Sequence, residues 1–141
     1  MEIESHVLRL SVLHGEMHWE SQAVAAHHVL ERTPFLGDDD VDHPSDAWSA
    51  AHTAFHQALL AGCPNRRLLA TARGLREEAE LYLQWSVSFG QEPDRDVAAE
   101  HRALLNAAIA READKACELL RDHIAHTAQL VIRGAADEPQ Q

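Results

Sequence analysis

Two histidines four residues apart, His52 and His56, have the spacing in this sequence that most directly suggests chemistry. On an α-helix, residues i and i+4 lie one above the other on the same face, so both imidazole rings can converge on one point. In the interior of a helical bundle, this arrangement is half of a metal site. His101 and His123 fall at inward positions of two later predicted helices, and we expect them to supply the other half.

Imidazole is a ligand that suits zinc, nickel, copper and iron better than magnesium or calcium. The chain has 11 histidines in 141 residues, which favours metal chemistry. A single histidine on an apolar helix face is more often a hydrogen-bonded core residue than a ligand. Periodicity alone therefore leaves both alternatives open for the four histidines.

The composition indicates one all-helical domain. Hydrophobic residues make up 45% of the chain, and there are only six glycines and five prolines. Leucine and alanine dominate over β-branched residues, which is typical of helices. The formal net charge is −11, and an acidic chain repels phosphate backbones, so we expect no nucleic-acid binding by this polypeptide itself.

Nothing in the sequence indicates export or a membrane. Cys63 and Cys117 provide no disulfide framework and fit a reducing cytoplasm. The acidic N-terminus carries no signal peptide, and no apolar run approaches the roughly 20 residues that a membrane span needs. The sequence therefore predicts a cytoplasmic protein that does not bind a membrane.

Apolar periodicity and capping residues predict six helices. Gly15 and Gly134 are expected to end the first and last of them, and Ser45 and Asn65 to cap the third and fourth. The predicted helices form a single antiparallel bundle in one domain, residues 1–134, followed by a polar tail, residues 135–141. Their approximate ranges are 2–14, 17–32, 46–61, 66–89, 94–111 and 115–133.

Other conspicuous residues have simpler explanations. The acidic run at 38–42 lacks the glycine and closing glutamate of a calcium loop, so we predict a solvated loop. Glu77, Glu78 and Glu80 are expected on a solvated helix face. His27 and His28 are adjacent and point in different directions, which indicates structural roles. Trp48 and Trp85 are predicted core residues, and Cys63 would be reactive only if exposed.

Three motifs, taken together, resemble the FCD domain, the C-terminal effector-binding domain of FadR-type GntR transcription regulators. The resemblance covers nearly all of residues 2–133 and depends on the set, since each motif is weak alone. The motifs are Trp48…His52-x-x-Phe55-His56-x-x-Leu59 followed by Asn65, then Glu100-His101-Arg102-x-Leu104, and then Ala116…Leu120-x-x-His123. Upstream, Leu8-Arg-Leu-Ser11, His14-Gly15 and Trp19-Glu20 resemble one branch of these regulators.

The resemblance implies a particular metal site. In metal-binding members, an acidic residue and three histidines hold a divalent metal, with open positions for water or a carboxylate effector. By position, the three histidines are His56, His101 and His123, and His52 fills the place of the acidic residue. Because imidazole is uncharged, this replacement favours zinc, nickel or iron over manganese.

The resemblance also implies a small anionic metabolite as the ligand. Family members often place arginines beside a tyrosine of the fourth helix, whereas this chain has Leu81 and Leu83 around Tyr82. Arg73 and Arg76 lie earlier on the same predicted helix and are the replacements we expect, because guanidinium groups bind carboxylates well.

Three functions stay open on the sequence alone. The first is a metal-containing sensing domain of a GntR/FadR-type regulator. The second is a stand-alone metal-dependent enzyme, since no winged helix-turn-helix segment precedes the predicted bundle and open metal positions can activate water. The third is a structural bundle that uses the metal as a staple. A homodimer formed through apolar helix faces is expected in each case.

Overall fold

The computed structural model describes residues 2–36, 44–84 and 96–137, and within them the fold is all-α, as predicted. The helices are α1 (Glu2–His14), α2 (Met17–Arg32), α3 (Asp46–Leu60), α4 (Arg66–Gln84), α5 (Val97–Ile109) and α6 (Ala113–Asp137). No strand occurs in these ranges, and a single antiparallel bridge joins Leu36 to Pro44. The predicted acidic loop at 38–42, residues 85–89 of the predicted fourth helix, Trp85 and residues 138–141 lie outside the described residues.

The predicted caps of α3 and α4 are present. The Ser45 hydroxyl accepts a hydrogen bond from the Trp48 amide at 3.0 Å, and the Asn65 side chain accepts one from the Leu68 amide at 3.1 Å. These side chains satisfy amides that have no partner inside a helix. The start of α5 differs from the prediction, because Asp96 accepts the capping bond from the Ala99 amide at 2.9 Å and the helix begins at Val97.

The predicted bounds of α6 were wrong at both ends. The helix begins at Ala113 and continues through Gly134 to Asp137. A glycine ends a helix when it adopts a left-handed conformation, and no described glycine has a positive φ. The positive φ of 63° belongs instead to Arg111, between α5 and α6, where the chain reverses.

The core forms where α1 packs on α6, α2 on α3, and α5 on both α2 and α6. Apolar periodicity favours a buried face of α1 that includes Ile3 and Leu13, but the observed buried face is rotated from it. Ile3 and Leu13 are 41% and 58% exposed, whereas Glu4 and Ser11 are buried. The reason is that the polar side chains find partners on other helices. The largest fully buried apolar side chains include Leu8, Phe55, Leu59, Leu60, Leu83, Leu104 and Leu120.

Several smaller predictions can be compared with the structure. Trp48 is buried, as predicted, and both cysteines are free and buried, so the condition for a reactive Cys63 is not met. Val24 and Tyr82 lie where apolar periodicity favours burial, but they are 48% and 62% exposed. No helix in the described ranges has the length and apolarity to span a bilayer.

Candidate metal centre

Three helices bring the four predicted histidines together. His52 and His56 come from α3, His101 from α5 and His123 from α6, and all four are buried. Each offers one ring nitrogen, and these four atoms all lie within 4.8 Å of one another. The Nε2 atoms of His52 and His56 are 3.2 Å apart. Two nitrogens bound to one ion at about 2.1 Å have a similar separation.

Aromatic side chains surround these rings and restrict their orientation. Trp48, one turn before His52, stacks on its imidazole with ring centroids 4.5 Å apart and planes 14° apart. Phe55 packs against His56 and His101 at centroid distances of 5.6 and 5.4 Å. Helix α3 therefore provides two potential metal ligands and also the aromatic side chains that pack against them.

Two glutamates bind the outer nitrogens of the cluster. The Nδ1 atom of His52 lies 2.8 Å from Glu80 Oε2, and that of His123 lies 2.9 Å from Glu100 Oε1. A carboxylate on Nδ1 orients the ring and leaves Nε2 free to bind a metal, which is the usual outer support of a metal-bound histidine. We define the histidine cluster as His52, His56, His101 and His123, and call Glu80 and Glu100 its supporting carboxylates.

The prediction that Glu80 lies on a solvated face was wrong, although Glu77 and Glu78 are exposed as expected. Glu80 is only 5% exposed. A signal was present in the sequence, because Ala72, Arg76 and Glu80 repeat every four residues along one side of α4. Glu100 entered the sequence analysis only as part of a motif, and its position directly before His101 gave no sign of its contact with His123.

Burial favours the neutral form of two of the four histidines. It lowers the pKa of His56 and of His101 well below the ordinary value, because a charged imidazole is poorly solvated there. The nearby Arg76 guanidinium lowers the pKa of His56 further. Burial also raises the pKa of Glu80 to about 7, against the opposing effect of Arg76. Neutral imidazoles are the form that binds metals.

The residues present fit a divalent transition metal. The Nε2 atom of His101 is buried without a hydrogen-bond partner in the part of the chain that the structure describes. A buried polar atom is normally paired, because leaving it unpaired costs free energy. Four converging imidazoles, with the Nε2 atom of His101 unpaired among the described residues, are a set of ligands that divalent transition metals prefer.

A cavity of about 360 Å³ adjoins the histidine cluster, with His52 and His123 in its wall. Two of the three predicted ligand-binding residues, Arg76 and Tyr82, line it, and Arg73 does not. Arg73 is half-buried on the same helix. The cavity therefore brings a cationic side chain and two potential metal ligands to one space.

Comparisons with known proteins relate the chain to a domain family. The family model described as "FCD domain" matches residues 1–126. The HTH-type transcriptional regulator BphR of Paraburkholderia xenovorans is 34% identical over 92% of this chain and 52% of its own length. The HTH-type transcriptional repressor GlaR of Escherichia coli is 30% identical over 86% of this chain and 56% of its own length.

A solved structure has the same fold. It is a GntR family transcriptional regulator from Pseudomonas syringae pv. tomato, with a TM-score of 0.74 and 23% identity, and the match covers 93% of this chain and 51% of that one. The chain thus spans about half the length of the curated relatives it matches. With a family model that extends over most of the sequence, this chain belongs to the FCD domain family.

Proposed function

We propose that this domain is the sensing part of a GntR-type transcription regulator, in which the histidine cluster holds a divalent transition metal and a small organic anion binds in the adjoining cavity. Family membership and the two relatives named as HTH-type regulators support the regulatory role. The observation that carries the metal proposal is the burial of four histidines whose ligand atoms lie within 4.8 Å of one another.

Each group around the cluster has a part in this proposal. His52, His56, His101 and His123 hold the ion, which when bound provides a Lewis-acidic point for an oxygen anion. Glu80 and Glu100 orient the imidazoles through Nδ1. The Trp48 ring excludes water from one side of His52.

Arg76 is the residue expected to hold the anion. Its guanidinium is 5% exposed and lines the cavity. A guanidinium matches a carboxylate in geometry and charge, and the attraction is stronger where water is excluded. Tyr82 lies at the mouth of the cavity, and Arg73 on the same helix remains a weaker candidate.

Ligand occupancy would be reported by movement of helices. The cluster and its supporting carboxylates join α3, α4, α5 and α6, so a change at the site acts on four helices at once. DNA binding belongs in this proposal to a separate domain, in agreement with the net charge of −11. The proposal includes a homodimer formed through apolar helix faces. It also includes a cytoplasmic location, because regulators of this type act on intracellular DNA.

Metal analysis of the purified protein tests the first part. Wild type is expected to bind one ion of zinc, nickel or iron per chain, in preference to manganese. Replacing His56 and His101 together by Ala should reduce bound metal to background while circular dichroism shows most of the helix content. The matched control is the double change of the exposed His14 and His28 to Ala. Stoichiometric metal in the His56/His101 double variant would place the site elsewhere.

A melting-temperature screen of organic acids tests the second part. A ligand at 100 times its dissociation constant adds about 2.7 kcal/mol to the free energy of unfolding, because it binds only the native state. The shifts should require metal. Equal shifts in metal-loaded and metal-stripped protein would show that the anions bind elsewhere. Steady consumption of a ligand would contradict the sensing function and favour a metal-dependent enzyme.

A further inference from the structure

The cavity beside the histidine cluster is mainly apolar. Ala79 on α4 and Ile124, Ala128 and Ile132 on α6 line it. At about 30 Å³ for each water-sized group, its volume of about 360 Å³ holds a ligand of roughly a dozen non-hydrogen atoms. We expect a ligand of this size to place an apolar body against these walls. A fully polar ligand would lose hydrogen bonds to water there, and apolar side chains could not replace them.

A single buried cation faces this apolar space. Among the described residues that line the cavity, Arg76 is the one arginine or lysine. Its Nη1 atom lies 3.4 Å from Glu4 Oε1, and its Nε atom is buried without a hydrogen-bond partner in the described ranges. A guanidinium has five N–H donors, so Arg76 retains donors for one oxyanion group of a ligand.

A buried carboxylate lies next to that cation. Glu4, in the first turn of α1, is 1% exposed, and it lines the same cavity. Glu80 is also buried near Arg76, with its Oε1 atom lacking a hydrogen-bond partner in the described part of the chain. Glu4 and the ionised fraction of Glu80 offset part of the positive charge that Arg76 and a divalent ion would present to a ligand.

We infer that the ligand is a monocarboxylate with an apolar body, and that Glu4 is the residue that excludes acids with a second carboxylate. This inference rests on the proposed function, and it specifies the ligand of the same site. One carboxylate binds beside Arg76 and the histidine cluster. A second carboxylate near Glu4 would meet a like charge. At the exposed edge beside Ala128 and Ile132 it would find no cation among the described lining residues, and the ligand would lose apolar contact with that edge.

Hexanoate and adipate form a matched pair for the test, because they share a six-carbon skeleton and differ by one terminal carboxylate. Isothermal titration calorimetry on metal-loaded protein should give a dissociation constant for hexanoate about tenfold or more below that for adipate, since juxtaposed like charges oppose binding. Equal or tighter binding of adipate overturns the inference, as does the absence of measurable binding of either acid.

Variants assign the selectivity to Glu4. Glu4→Gln keeps the shape and an acceptor for Arg76 but removes the charge, so the adipate-to-hexanoate ratio of dissociation constants should fall about tenfold. The exposed Glu78→Gln has the same change in net charge and should leave the ratio unchanged. Should Glu4→Gln fail to fold, Ile132→Lys at the exposed edge of the cavity should also favour adipate. An unchanged ratio in folded Glu4→Gln contradicts the role of Glu4, and an unchanged ratio in Ile132→Lys contradicts the placement of the second carboxylate at that edge.

Metal content separates the two proposals. Protein that binds one ion per chain, with metal-dependent binding of adipate over hexanoate, would retain the proposed function and refute the monocarboxylate inference. Protein that binds hexanoate selectively with no metal would refute the metal part of the proposed function and retain the ligand class.

Discussion

Two buried polar clusters in this bundle differ in how completely their hydrogen bonds are satisfied. The first, which we call the Ser11 hub, consists of Ser11, Gly15, Trp19, Leu59 and Gly62, where α1, α2 and α3 meet. The Ser11 hydroxyl donates to the Leu59 carbonyl at 2.6 Å and accepts from the Gly62 amide at 2.9 Å. The Trp19 indole donates to the same carbonyl at 3.1 Å.

In and around the histidine cluster, the hydrogen-bonding groups are less completely satisfied. His101 Nε2, and nearby Arg76 Nε and Glu80 Oε1, are buried without partners in the part of the chain that the structure describes. Saturated polar groups stabilise one arrangement of helices, whereas unpaired ones lower stability and leave atoms for a ligand. The difference supports the proposal that the histidine cluster binds a metal, whereas the Ser11 hub stabilises the packing of α1, α2 and α3.

The largest expected effect is at Gly15 in the hub. A Cβ atom there would lie 2.5 Å from Trp19 Cδ2 and 2.7 Å from the Ser11 carbonyl oxygen. Gly15→Ala should therefore reduce the free energy of unfolding by about 3 kcal/mol, measured by urea denaturation. Gly74→Ala is the control, because a Cβ on that helical glycine meets nothing within 4 Å, and it should add about 0.5 to 1 kcal/mol. Equal effects at both glycines would contradict close packing at the hub.

Removing the Ser11 hydroxyl should have the next largest effect. Ser11→Ala leaves the Gly62 amide without its acceptor and removes one donor from the Leu59 carbonyl. We expect a loss of about 2 kcal/mol in the free energy of unfolding. The exposed Ser21→Ala on α2 should change it by less than about 0.5 kcal/mol. A loss at Ser11 no greater than at Ser21 would show that the hub is not saturated by this hydroxyl.

The pH dependence of metal-free protein tests the cluster. In the unfolded chain, His56 and His101 gain protons near pH 6.5, whereas burial lowers their pKa in the folded state. The unfolded state then binds more protons as the pH falls from 7 to 5.5, so stability decreases. Each proton that the unfolded state binds and the folded state does not changes the free energy of unfolding by at most about 1.4 kcal/mol per pH unit.

Glu80 has the opposite effect on the pH dependence of stability in the same pH range. Its pKa of about 7 in the folded state exceeds the unfolded value of 4.5, so the folded state gains its proton first and stability rises as the pH falls. Glu80→Gln removes this compensation, and the variant should lose stability more steeply than wild type between pH 7 and 5.5. Parallel profiles from thermal melts would show that Glu80 carries no such proton.

The smallest expected effect is at His101. Because its Nε2 atom has no partner in the described ranges, His101→Leu should leave the free energy of unfolding of metal-free protein within about 0.5 kcal/mol of wild type, or raise it. The rise in melting temperature on adding metal should disappear at the same time. A loss as large as that at Ser11, in metal-free protein, would make His101 a structural residue and remove the contrast between the clusters.

The sequence was sufficient for features that depend on neighbours along the chain. The i,i+4 pair of His52 and His56, and the caps at Ser45 and Asn65, follow from helical geometry alone. Burial of Glu4 was not predictable in this way, because its partner Arg76 is 72 residues away on another helix. Periodicity shows which side of a helix a residue occupies, but only the packing of helices shows which charges meet.

Glu80 is an intermediate case. Its four-residue spacing from Arg76 placed it on the inner side of α4, but its position in a run of acids favoured a solvated face. The bond to His52 resolves the ambiguity, since a buried carboxylate is tolerated where it has a partner.

Helix α6 extends well beyond the residue that it contributes to the histidine cluster. It extends over 25 residues, and from residue 123 to residue 137 there are fourteen, or about 21 Å at 1.5 Å each. A tilt of about 5° around His123 would displace the end of the helix by about 2 Å. A small tilt at His123 would therefore cause a larger displacement at the end of α6. The continuation of the helix past Gly134 increases the distance from His123 to that end, and with it the displacement.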